Sequence, residues 1–215
     1  MPDLVDEVDE EIRQERAARL ARRFGGLFAG LVLLVLAGVG GWQAWRWNED
    51  RGANAAAEAF LAATRDASVE GADTRAIAAR MAALSAGAPP GYRILTGLRA
   101  AALSAEAGDR EAALTQWNRI AQDSGADVLY RDLATLMWAM HALDASHAAQ
   151  IRTRLAPLAA QGPWRASARE LIALAALTAG DTAEARRGLT ELSRDDEAPQ
   201  GVRQRALRLL SGIDG

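Results

Sequence analysis

Cysteine is missing from all 215 residues, which excludes a disulfide scaffold, a zinc-thiolate site and a cysteine nucleophile. Lysine is missing too, so the 25 basic side chains are all arginine, set against 28 acidic ones. That gap reads as a coding-composition bias, because a charged surface works with either cation. The resulting net charge of −3 supplies no clustered positive field, and this argues against broad binding to nucleic acid. Aromatic residues make up only 5% of the chain. The period-2 alternation of β-branched and aromatic residues that marks strands is nearly absent after residue 47. There is no G-x-G-x-x-G, no P-loop and no G-x-S-x-G. Serines such as Ser124 and Ser146 have no base beside them in the sequence to activate them. The chain is therefore expected not to be an enzyme, and to use no cofactor, metal or small-molecule substrate.

What is present begins with one apolar run. From Phe24 to Trp45 the chain reads FGGLFAGLVLLVLAGVGGWQAW, without a single charged side chain. As a helix it would be about 33 Å long, close to the ~30 Å of a bilayer's hydrocarbon core. It has no polar face of the kind a soluble core helix shows. A cleaved secretory signal would have a shorter core and a small-residue cleavage site after it. This run instead ends in Trp42, Trp45 and Trp47, which suits an interfacial belt on a retained anchor. Gly26 and Gly30 form a small-xxx-small pair on it. Arg13, Arg16, Arg19, Arg22 and Arg23 precede the run, whereas only Arg46 and Arg51 follow closely. By the positive-inside bias the N-terminus is cytoplasmic and the remainder lies outside. Three segments are expected: a charged cytoplasmic tail over 1–23, a transmembrane helix over 24–45, and a helical domain over 46–215.

Beyond Trp47, alanine, leucine and arginine dominate, a composition of high helix propensity. Breakers at Gly71, 87–91, Gly108, Gly125, Asp144, Gly162, Gly180 and Pro199 divide it into segments of ordinary helix length. The helices predicted are Asn48–Ser68, Asp73–Ser85, Tyr92–Ala107, Arg110–Asp123, Val128–Leu143, Ser146–Ala160, Trp164–Ala179, Thr182–Ser193 and Gln200–Leu210. Asp109 and Asp181, each after a glycine, are placed to cap a helix after a tight end. Pro163 suits a first helical turn, and Pro157 should kink or end the sixth helix early.

Self-comparison adds a repeat. Gly108-Asp109 is followed by Ala113, Trp117 and Ile120, and Gly180-Asp181 at the same offsets by Ala185, Leu189 and Leu192. A weaker copy has Asp144, Ala148 and Leu155. The steps from Asp109 to Asp144 and from Asp144 to Asp181 are nearly equal, and both lie near the tetratricopeptide period of about 34 residues. Small alanines let paired helices approach, and the larger residue four positions on fills the gap between pairs. The fold class expected is all-α: a single N-terminal transmembrane helix followed by a tetratricopeptide-like α-solenoid of antiparallel helix pairs.

On GWQAWRW at 41–47, the GD-x₃-A copies and VRQRALRLL at 202–210, the whole chain resembles the YfgM-like family. These are ancillary subunits of the SecYEG translocon with a tetratricopeptide-like domain. The resemblance implies a bacterial inner-membrane protein with its repeat domain in the periplasm. It further implies contact with the translocon and with a membrane-anchored chaperone of the peptidyl-prolyl isomerase type. Gly97 and Ser104 depart from the repeat consensus, standing where bulkier residues are expected. The alternative reading is an envelope assembly factor, a cell-division or cytochrome-maturation helper built on the same repeat.

Few residues stand out as candidates for binding. Trp117 and Trp138 are expected in the core, whereas Trp164, at a helix start, is the aromatic best placed to reach a partner. Arg93, Arg99, Arg131, Arg165 and Arg169 lie on first helices of pairs, the elements that line the concave face of such solenoids. They are usually a solvated face, and could also form a groove for acidic or C-terminal peptide ends. His141 and His147, six apart, miss the i,i+4 spacing of a zinc pair. The Asp195-Asp196-Glu197 loop lacks the ligand order of a calcium loop.

Overall fold

A computed structural model describes the backbone of residues 3–214 and the side chains of residues 26, 30–48 and 50–213. Among the described residues every regular element is a helix: α1 (Asp3–Ala67), α2 (Thr74–Gly87), α3 (Pro90–Glu106), α4 (Arg110–Ala121), α5 (Val128–His141), α6 (Ala148–Ala160), α7 (Arg165–Thr178), α8 (Thr182–Ser193) and α9 (Gln200–Asp214). The chain divides into two compact units, 1–52 and 53–215, and the division falls within α1.

In the first unit, Leu31–Leu36 and Val39 are exposed, as are Trp42, Trp45 and Trp47. A Cβ added at Gly26 or Gly30 would meet nothing within 4 Å. Among the described residues no helix is long and apolar enough to cross a membrane. The side chains of residues 24, 25 and 27–29, part of the span expected over 24–45, lie outside the described residues. So do those of the whole 1–23 tail and its five arginines.

The second unit is a stack of helices in which each packs on its neighbours in sequence. The odd-numbered helices also touch one another in order, α3 to α5, α5 to α7 and α7 to α9, forming one layer. Its first core cluster joins Ala63 of α1 to Ile77, Ala78 and Met81 of α2 and to Ala100 and Leu103 of α3. The largest cluster, around Trp117, Trp138, Ile151 and Leu155, runs from α3 to α7. A third, around Leu189, Leu192, Val202 and Ala206, closes the far end.

Local chemistry explains the corners. At α3–α4, Gly108 adopts φ +77°, its N–H donates to Ala105 O (3.0 Å), and the Asp109 N–H donates to Ser104 O (2.8 Å). That pair of bonds is a Schellman motif, which consumes the last carbonyls of α3. Asp109 then turns its carboxylate forward to accept from the Ala112 N–H at 3.1 Å, capping α4. The α7–α8 corner repeats this: Gly180 has φ +83°, Asp181 N–H donates to Ala176 O, and the Asp181 carboxylate accepts from Glu184 N–H. Only glycine enters that left-handed region without a Cβ penalty.

The middle pair departs. Leu143 stands where the other corners have glycine, and the turn from Ala142 to His147 separates α5 from α6. Asp144 sits in that turn, and its carboxylate accepts from the His147 backbone N–H (2.9 Å) and from Ser146 Oγ (2.6 Å). The local bonds hold Ser146 outside the helix, which therefore begins at Ala148 and not at Ser146. Pro157 does not end α6 early, since the helix runs on to Ala160. Pro157 lies in the last turns, where a missing N–H removes only one bond and no long stretch of helix follows. Pro90 starts α3 two residues before the predicted Tyr92, because proline fits a first helical position.

The repeat positions pack as their spacing predicts. Ala113, Trp117 and Ile120 of α4 and Ala185, Leu189 and Leu192 of α8 are all buried. Ala148 and Leu155 of α6 are buried with them. Gly97 has a packing reason: an added Cβ would lie 3.2 Å from both Ile120 Cδ1 and Ser85 Oγ. A bulkier residue there would push α2 and α4 off α3. Ser104, also buried, accepts from Gln116 Nε2 at 3.2 Å.

Candidate protein-interaction surface

Two of the arginines expected on an open face are instead tied to loops. Arg93 of α3 reaches Asp123 beyond the end of α4, Nη2 to Oδ2 at 3.0 Å. Arg165 of α7 reaches Asp195 beyond the end of α8, Nη1 to Oδ2 at 3.0 Å. The two bridges occupy equivalent places in the repeat, because the step along the chain from Arg93 to Arg165 equals that from Asp123 to Asp195. In each loop the same aspartate makes an Asx turn, accepting from the N–H two residues on: Gly125 at 2.9 Å, Glu197 at 3.1 Å. Each turn buries an alanine, Ala126 or Ala198, against the next helix. The arginine thus fastens a loop to the first helix of its pair.

The remaining candidates are held in other ways. Arg165 also pairs with Glu197 (3.0 Å), so the acidic 195–197 loop is drawn onto a guanidinium. Arg169 donates from Nε to Ala159 O (3.0 Å) and stands 3.5 Å from Asp195. Arg99 pairs with Glu106 on its own helix at 3.3 Å. Arg131 is half-buried, and its Nε has no hydrogen-bond partner. Trp164 is half-buried against the largest core cluster, with Nε1 buried and unpartnered. It wedges the α6–α7 corner, where Gly162 at φ +93° makes the turn. Trp117 and Trp138 are buried, as their sequence context predicts.

His141 and His147 take separate partners. The His141 ring lies over Trp117, centroids 4.4 Å apart, and burial followed by the nearby Arg110 charge lowers its pKa. His147 Nδ1 contacts Asp144 Oδ1 at 2.8 Å. Arg110 joins both sides of this corner, donating from Nε to His141 O (2.7 Å) and from Nη2 to Asp144 (2.6 Å). Hydrogen bonds from Ser146, Arg110 and His147 hold the Asp144 carboxyl far below the usual carboxylate range. Asp144 and Ser146 both approach the same nitrogen of His147, so no Asp-to-Nδ1, Nε2-to-Ser relay is formed.

A separate apolar groove lies along α5, α7 and α9. Met140, Leu143, Leu171, Leu174 and Leu209 line a groove of about 540 Å³. None of the six candidates Trp164, Arg165, Arg169, Arg93, Arg99 and Arg131 lines it. One side carries a buried charge: Glu170, 7% exposed, receives two bonds from Arg205, Nε to Oε1 at 2.7 Å and Nη2 to Oε2 at 2.6 Å. The Glu170 carboxylate in turn raises the Arg205 pKa. Arg208, one helical turn on, is exposed at the same rim. A groove with an apolar floor and a cationic rim can take an apolar side chain next to a carboxylate. The sequence did contain a signal for it: α9 reads VRQRALRLL, with Arg205, Arg208 and Leu209 spaced three and four apart on one helical face. Its partner residues on α5 and α7 are set by tertiary packing alone.

A family model described as a tetratricopeptide repeat-like domain matches residues 21–209. Comparison with curated proteins and with solved structures returned no significant match. Domains of this type generally mediate contacts between proteins, in keeping with a layered stack that presents a groove. The chain belongs to the tetratricopeptide repeat-like domain family.

Proposed function

We infer that the protein is a membrane-anchored adaptor, an ancillary component of the Sec translocon whose repeat domain faces the periplasm and engages a membrane-anchored chaperone. The anchoring part rests on the sequence: the uncharged run from Phe24 to Trp45, the tryptophans that close it, and the arginine excess ahead of it. The family match starts at residue 21, so it takes in this run together with the repeats. Tethering would raise the local concentration of the domain beside a membrane partner without any stronger contact. The observation that carries the adaptor reading is the α5–α7–α9 groove, where apolar surface stays uncovered next to cationic side chains. The translocon and the chaperone enter from the likeness to the YfgM-like family.

A photoreactive residue at Met140 or Leu174 of the full chain tests this in cells. It should crosslink to a translocon subunit or to a membrane-anchored chaperone, and Leu171→Asp should abolish the product. The same probe at Arg152, which is exposed on α6, should give none. Equal yields from both positions would dismiss the groove. A cell-division or cytochrome-maturation protein in the product would favour the assembly-factor reading. A C-terminal reporter active only outside the cytoplasm should give signal, and silence from a well-expressed fusion would reverse the orientation.

A further inference from the structure

Two arginines at the end of the apolar run each stack on a tryptophan, as Arg154 does on Trp138 in the repeat domain. Arg46 Cζ lies 4.8 Å from the Trp42 ring centroid, and Arg51 Cζ lies 3.4 Å from that of Trp47. Each is an i,i+4 pair, in which the indole face carries the guanidinium plane. Neither guanidinium has a carboxylate partner among the described residues, whereas Arg93, Arg99, Arg165 and Arg205 all do. The indoles themselves are more than half exposed, so each stack is an open cationic plate backed by an aromatic ring.

Position along the helix decides what such plates meet. Leu31–Leu36 and Val39 form an exposed apolar sleeve, and the tryptophans begin directly after it. At about 1.5 Å per residue, Arg46 to Arg51 spans about 7.5 Å, comparable with the ~5–7 Å of headgroup layer on each side of a bilayer core. At about 100° per residue the two arginines point about 140° apart, so they address different lipids around the helix. A planar guanidinium forks onto two phosphate oxygens, which an ammonium cannot do in the same plane. Resting on the membrane-anchored reading above, we propose that Trp42–Arg46 and Trp47–Arg51 form a collar that binds the headgroup phosphates of anionic phospholipids. The occupant is a lipid and not free phosphate, because the apolar sleeve and the plates are contiguous and a lipid supplies both complements.

The test uses the full chain in nanodiscs of phosphatidylcholine with a minority of phosphatidylglycerol. Lipids that survive graded removal of the bulk are counted by native mass spectrometry. Phosphatidylglycerol should be enriched among the retained lipids, and Arg46→Gln and Arg51→Gln should each lower that enrichment about fivefold while insertion persists. Soluble glycerol phosphate should not compete. Insertion without enrichment, enrichment unchanged in the double variant, or displacement by glycerol phosphate would each overturn the collar and leave the anchor standing. Failure of the wild-type chain to insert in either lipid would overturn the anchor and the collar together.

Discussion

Removing Arg205 strands a buried carboxylate, and the structure sets the scale of the loss. Glu170 is 7% exposed and receives both of its close bonds from one guanidinium, at 2.7 and 2.6 Å. Stripping the cation from a fully buried pair costs about 3–5 kcal/mol. The Arg205 side chain is 49% exposed, so water can reach the vacated place and the expected loss for Arg205→Met falls to about 2–3 kcal/mol. Glu170→Met releases a guanidinium that water can solvate and should cost about 1 kcal/mol. The double variant replaces both charges by matching apolar volume and should lie within about 1 kcal/mol of wild type. Urea unfolding of the full chain in mild detergent, followed by circular dichroism, gives the four corners of the cycle. A coupling below about 0.5 kcal/mol would refute the reasoning, since the pair would then be a surface contact of no energetic weight.

Three further outcomes follow from the corners and the titrating groups. Burial and Arg110 hold the folded pKa of His141 below the ordinary 6.5, so the unfolded chain takes up the proton first. Stability should therefore fall as pH drops below that value, and His141→Phe should remove this slope from a pH series of unfolding midpoints. Hydrogen bonding from Arg165 depresses the Asp195 pKa, so its contribution is present above the unfolded value near 3.9 and is lost as pH falls through the folded one. Asp195→Asn should flatten that acid limb in the same measurement. Gly180→Ala meets no steric neighbour, yet its φ of +83° should cost about 1–2 kcal/mol in urea unfolding, whereas Gly91→Ala, in the first turn of α3, should be neutral or stabilising.

The parts of the fold legible in the sequence are those decided within a few residues. A glycine followed by aspartate specifies both a left-handed helix end and the next cap. The caps Asp109 and Asp181 and the starts of α4 and α8 therefore match the sequence reading, while α3 and α7 end one residue before the Ala107 and Ala179 predicted. Trp117 was readable as core from its packing position in the repeat, four residues after Ala113, and Trp138 because LATLMWAM is apolar nearly all round. The arginines were not, because a first-helix position says nothing about an acid in a loop one whole helix further on. Arg93–Asp123 and Arg165–Asp195 become visible only when the two loops are superposed with Asp123 on Asp195. At the matching offset Arg131 finds Gln161, which is not an acid. The groove was hidden for a related reason: Met140, Leu171 and Leu209 sit on three helices, brought together by the order in which pairs stack. At α5–α6, Asp144 resembles the other corner aspartates by spacing, but without glycine before it the chain turned differently.

Corners that use one aspartate to finish one helix and begin the next leave no slack. A residue inserted beside Asp109 or Asp181 would separate the bond that ends one helix from the cap that starts the next, and lose the phase they set between the two. The longer connection from Ala142 to His147 carries no such phase constraint. Length variation among related chains, and any engineered tag or spacer, should accordingly be tolerated there first, making that bend the place where the stack can be lengthened without being unwound.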